Sequence, residues 1–135
     1  MHSGLTMQEA VDRFGVHVET DFAADDPIPV LDGTQFQGDV AIIPTETTAA
    51  VGVVPSDGLP VVRGENGGNT HLLLPSDGVT FDRKEVGLVL GILTVAKDAI
   101  AYLAHPEHGY AGVGPGTYEI RRQREQADEI RMVRD

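Results

Sequence analysis

The sequence predicts a single mainly β domain, a small β-barrel or two-sheet sandwich with one short N-terminal helix. Three observations lead there. Val, Ile, Leu and Thr are plentiful while aromatic residues make up only 5% of the chain, a mixture suited to pleated, half-buried surfaces. The 16 glycines and 8 prolines cut the chain into runs too short for a helical bundle. Finally, 135 residues are enough to bury one core but not two. Roughly seven to nine strands fit that length.

Taken in order, the elements have local causes. Thr6-Met7-Gln8-Glu9 has the spacing of a capping box. Met7, Ala10, Val11 and Phe14 then share one helical face, and Gly15 is placed to end the helix. Val16 to Thr20 alternates as a strand would, with His17 half-exposed on it. Asp21 to Gly33 is acidic and broken by Pro27 and Pro29, an irregular connector; its Asp residues lack the spacing of a calcium loop. Gln37 to Pro44 reads as a turn feeding a buried strand, and Thr47 to Val54 as a further apolar run. Pro55-Ser56-Asp57-Gly58 and Pro75-Ser76-Asp77-Gly78 are identical turns, read as hairpin corners on either side of strands at Leu59–Arg63 and His71–Leu74. Gly64 to Asn69 is glycine-rich, but no lysine or helix pattern follows to make it a phosphate loop. Val79–Glu85 is a short strand or turn, and Val86–Leu93 a buried strand. Ala101–Ala104 leads into a polar corner, His105-Pro106-Glu107-His108. A glycine-rich turn and a last strand, Thr117 to about Glu125, follow. In domain terms, residues 1–36 form an acidic extension, 37–125 the β core and 126–135 a tail.

Charge narrows the function classes. The net charge is −11, and a phosphate-binding face needs clustered Lys and Arg. Nucleic acid and anionic membrane surfaces are therefore excluded as expected partners. Arg13 is the single basic residue from Met1 to Val62, whereas Arg121, Arg122, Arg124, Arg131 and Arg134 crowd the C-terminus. With no cysteine there is neither a disulfide nor a thiolate metal site. No run approaches the roughly 20 apolar residues of a membrane span, and no signal-peptide pattern opens the chain. The expected location is the cytoplasm or a virion.

Four motifs occur in order: Gln-Gly-Asp-Val (37–40), Arg-Gly-Glu-Asn-Gly-Gly-Asn-Thr-His (63–71), His-Pro-Glu-His-Gly (105–109) and Gly-Pro-Gly-Thr-Tyr-Glu-Ile-Arg-Arg-Gln-Arg-Glu (114–125). Together they resemble a family of small uncharacterised proteins from bacteria and tailed phages. Asn69 stands where that family often has a first histidine, and Gln126 where it usually has tyrosine. The resemblance runs from about Gln37 to Asp135, leaves the acidic extension unmatched, and implies a phage or mobile-element origin without implying an activity.

Three readings compete for the histidines: a metal site, serving a metal-binding protein or a metal-dependent enzyme with Glu107 or Glu65 as base; a structural role; and acid–base catalysis without metal. If His71, His105 and His108 converge with Glu107 nearby, they have the donor inventory of a cupin-like Zn or Fe site. His105 and His108 can meet only if Pro106 bends the segment, since an odd spacing on a strand points side chains to opposite faces. Alternatively, these imidazoles hydrogen-bond the loop and fix the corner's shape. Catalysis lacks a nucleophile, because there is no cysteine and the serines lie in turns. The composition instead suits a non-enzymatic, phage-type structural or accessory protein that forms a homo-oligomer or larger assembly and holds no cofactor. Arg121, Arg122 and Arg124, on a last strand with charges on both faces, are its expected interface. Such a strand suits a sheet edge or a subunit contact.

Overall fold

Helix α1 (Met7–Phe14) is the first element in a computed structural model that describes residues 4–18, 22–47, 52–63 and 70–123. Its capping box is formed as the spacing predicts. The Glu9 N–H donates to Thr6 Oγ1 at 3.2 Å, and the Thr6 N–H donates to Glu9 Oε1 at 2.8 Å. Gly15 ends the helix in the left-handed region (φ +75°), its N–H donating to the Val11 carbonyl. Residues 16–18 form no strand, although burial still alternates there: His17 is exposed and Val18 buried. The chain runs back along the helix start instead. Met7 N–H donates to Asp26 O (2.7 Å), Gln8 N–H to Ala24 O (3.2 Å) and Ile28 N–H to Leu5 O (3.0 Å). Residues 4–28 therefore bond mainly to themselves.

Ten strands follow among the described residues: β1 (Val30–Leu31), β2 (Gln35–Gln37), β3 (Val40–Pro44), β4 (Leu59–Val62), β5 (His71–Leu73), β6 (Val79–Val86), β7 (Val89–Val95), β8 (Ala101–His105), β9 (Gly109–Val113) and β10 (Gly116–Arg122). They form two sheets, one ordered β1-β9-β8-β5-β4 and the other β2-β3-β10-β7-β6. The sheets do not join into a barrel, so the fold is a sandwich. All pairings are antiparallel except β1 with β9. Between the sheets lies the main core, including Val40, Ile42, Leu73, Phe81, Leu93, Leu103, Val113, Tyr118 and Ile120. A second cluster lies outside the first sheet. There, Tyr102, Ala104, Tyr110 and Leu74 pack against Ala10, Val18 and Ile28, with Phe14 and Val11 beside them. Alternation along β8 explains the split, since successive side chains point to opposite faces.

Several expected elements are placed differently. The two Pro-Ser-Asp-Gly turns are not hairpin corners: each carries the chain from one sheet to the other. The first follows the Val53–Thr80 bridge and enters β4, and the second joins β5 to β6. The Val86–Leu93 run is divided, because β6 extends to an exposed Val86 and turns at Gly87 before β7. The glycine-rich stretch after the polar corner is largely strand β9, fully buried. Gly112 is required there because a Cβ would lie 2.8 Å from Pro29 O, where β1 crosses. Strand β10 is central, flanked by β3 and β7, and not an edge. Its charges fit because Tyr118 and Ile120 point inward, Glu119 and Arg121 outward, and Arg122 lies exposed at the strand end. The Tyr118 hydroxyl donates to Gly114 O (2.8 Å) and Pro115 O (3.2 Å), holding the crossing from β9 to β10. That bond gives the Gly-Pro-Gly-Thr-Tyr motif a structural cause.

Candidate functional site

The polar residues converge where β2 turns into β3, β8 turns into β9 and β5 begins. Gln37, the last residue of β2, is 3% exposed. Its Nε2 donates to Leu103 O (2.8 Å) and to Gly109 O (3.0 Å), which uses both amide hydrogens. Oε1 must then face His71 Nδ1, 2.8 Å away. An amide oxygen only accepts, so the proton sits on His71 Nδ1 and the lone pair on Nε2. Gln37 belongs to the second sheet and its three partners to the first, so one amide clamps the sandwich shut at this end.

His105 is fixed with the opposite tautomer. Its Nδ1 accepts from the backbone N–H of Glu107 (3.0 Å) and of His108 (3.2 Å), which leaves the proton of the neutral ring on Nε2. The imidazole thus satisfies the turn that Pro106 begins, much as a side-chain acceptor caps a helix. The bend brings His108 back over His105. Ring centroids lie 4.3 Å apart for His71 and His105, 4.5 Å for His105 and His108, and 6.4 Å for His71 and His108. His108 in turn covers the β2–β3 turn: a Cβ on Gly38, whose φ is +53°, would lie 2.6 Å from its ring. Only glycine meets both demands.

Burial holds His71 well below the ordinary imidazole range, to about 4, assisted by the neighbouring His105 and His108 and opposed by Asp39. His71 is therefore neutral at pH 7, as its role as a hydrogen-bonded core residue requires.

The structure gathers His71, His105 and His108 at one pole. Glu107 is exposed on the turn, where its backbone N–H donates to His105 Nδ1. Among the described residues, no group of three or more His, Asp or Glu side chains is arranged to hold a metal ion. The tautomers give a reason. His105 spends its lone pair on two backbone donors, and its Nε2 carries a proton. The three imidazoles thus do not fit a common cation as bonded here.

Of the expected interface, Arg121 lies on the outer face with Nε 3.3 Å from Glu119 Oε1, too skewed for a hydrogen bond. Arg122 is exposed, and Arg124 lies outside the described residues, as do Gly64–Asn69.

Sequence reasoning missed Gln37, because it heads a stretch that reads as a turn leading into a buried strand, where a glutamine has no assigned partner. It also missed Arg83, which reaches from β6 to the carbonyls of Pro60 and Val61 on β4. Gln35 similarly donates to Gly112 O at 2.9 Å. Side-chain donors thus stitch both open sides of the sandwich.

No helix among the described residues is long and apolar enough to cross a membrane. No curated protein and no solved structure was found to match the chain. A family model described as a domain of unknown function, DUF8820, matches residues 36–123, from β2 to just past the end of β10, and takes in Gln37 and all three clustered histidines. With that match covering more than half its length, the chain belongs to the DUF8820 family.

Proposed function

We propose that the chain is a non-enzymatic structural or accessory protein, of the bacterial and tailed-phage kind its motifs resemble, that works through self-association and protein–protein contacts. One observation carries this proposal: large apolar side chains are exposed on both open sides of the sandwich. Phe36 on edge strand β2 is 62% exposed, with Leu31 on β1 also exposed; on the opposite side Val53 is 83% exposed and Val86 stands clear at the β6 turn. Apolar margins on opposite sides favour a head-to-tail contact, the type that closes into rings. Arg122 adds a charged donor beside that surface, suited to carboxylates on a neighbouring copy. The inward hydrogen bonds of Gln37, His71 and His105 agree with a pole built for rigidity.

Light scattering coupled to size exclusion, run from micromolar concentration up to about 1 mM, tests this. Self-association that Phe36→Asp weakens is expected. A monomer across the whole range would overturn it. Three imidazole rings within 6.4 Å favour one second reading, a metal-binding protein in which His105 releases its turn. Stoichiometric Zn or Fe in the purified protein, lost in the His105→Ala, His108→Ala double variant, would replace the first proposal with this one.

A further inference from the structure

The segment 4–28 is a module laid on the sandwich, not woven into it. Among its described residues, 4–18 and 22–28, the backbone–backbone bonds from Met7 to Asp26, Gln8 to Ala24 and Ile28 to Leu5 stay within the segment. The helix carries its own N-cap and its own glycine stop. Ladder contact with the sheets starts only at Pro29, whose carbonyl accepts from Gly112 N–H. What holds the module down is apolar packing plus two tyrosine hydroxyls. Tyr102 accepts from Leu5 N–H at 2.8 Å, and Tyr110 donates to Val16 O at 2.8 Å. Phe14 packs against both rings, tilted 45° to Tyr102 at 5.7 Å between centroids and stacked on Tyr110 at 6.4 Å.

The face beneath is different in kind. Leu72, Leu74, Tyr102, Ala104 and Tyr110 lie inside the family-matched interval, whereas the module lies entirely before it. Peeling the module away would bare a contiguous apolar sheet face. Such a face is covered again by whatever has the right shape, and every other copy of this chain carries a segment of that shape. No ion pair joins the module to the face among the described residues, so apolar packing and the two hydroxyl bonds carry the contact.

We propose that residues 4–28 are an exchangeable cap, and that two copies trade caps across the outer face of the β9-β8-β5 sheet to give a closed, two-fold dimer. The proposal goes beyond the self-association proposed above, since it is a two-fold contact on the outer sheet face, separate from the head-to-tail contact of the apolar margins. Each face in the dimer makes the same contacts as in the monomer, so the balance is set by tethering. A short tether acts as an effective concentration of the order of millimolar. Dilute protein therefore keeps its own cap, and exchange takes over near that local concentration, as within an ordered array. The cap's own bonding ends at Ile28 and the sheet's begins at Pro29, so the hinge falls at that junction, with the φ of Pro29 fixed.

The test uses the full chain. Isotope-labelled and unlabelled protein are mixed at about 1 mM, opened briefly with mild denaturant and returned to buffer. Isotope-filtered NOE spectra then report contacts between copies. Exchange predicts cross-copy NOEs from the Tyr102 and Tyr110 rings to Leu5, Val11 and Phe14. Association without those NOEs would overturn exchange and leave self-association through another surface standing. No association at all would overturn both. Tyr102→Phe with Tyr110→Phe adds a second readout. Both hydroxyl bonds exist in monomer and dimer alike, so their loss speeds opening roughly tenfold or more and leaves the dimerisation constant unchanged. A changed constant with an unchanged rate would count against the proposal.

Discussion

The two apolar clusters of this protein are built on different terms. The inter-sheet core is bounded on both sides by strand ladders, and its edges are stitched by Gln37, Gln35 and Arg83 reaching carbonyls on the facing sheet. The outer cluster has a ladder on one side only; on the other is an eight-residue helix, a length that is marginal in isolation. Damage to the first should therefore cost the whole fold, while damage to the second should be local. Proteins open in units of unequal stability, and here the boundary between units falls near Pro29.

The largest effect is expected in the core. Leu93, 1% exposed, contributes through burial alone, and Leu93→Ala should cost about 2–5 kcal/mol. Denaturant unfolding followed by far-UV circular dichroism should show one cooperative transition shifted as a whole. A separate early transition would mean the sheets are less coupled than described.

Next comes the seam. Gln37→Leu removes the buried bonds to Leu103 O, Gly109 O and His71 Nδ1, a loss of about 3 kcal/mol. Hydrogen exchange should detect it in both sheets, because the amide joins them. Faster exchange confined to the β2–β3 turn would show that the clamp matters only locally.

A pH dependence of similar size should arise at the same seam. His71 is held to about 4 in the folded chain against 6.5 ordinarily, so below 6.5 the unfolded chain binds a proton that the folded chain refuses. Stability is fully present above pH 6.5 and declines as pH falls toward 4, by roughly 3 kcal/mol in all. His71→Gln should flatten that slope in melting curves recorded between those limits; an unaltered slope would place the titration elsewhere.

The smallest effects belong to the cap. Thr6→Ala removes one half of the capping box and should cost about 1 kcal/mol, visible as faster amide exchange in α1 with β3, β7 and β10 unchanged. If the strands also lost protection, the cap and the core would form one unit.

What the sequence by itself determined was local. The capping box and its glycine stop, both Pro-Ser-Asp-Gly turns, the buried run ending at Pro44 and the bend at Pro106 each depend on neighbours within a few residues, and all are in place. The inward Tyr118 and Ile120 were equally legible, since period-2 alternation is a property of the strand alone. Tertiary structure decided the rest. Residues 16–18 alternate like a strand yet gained no partner, and β10 carries charge yet became central, because neighbours are assigned by packing and not by pattern. Gln37 reads from sequence as part of a turn, and only folding closes three groups from distant strands around it. That closure also fixed which nitrogen of His71 bears the proton, a choice the sequence leaves open because it depends on a partner 34 positions away; the His105 tautomer is set locally, by the N–H groups of Glu107 and His108.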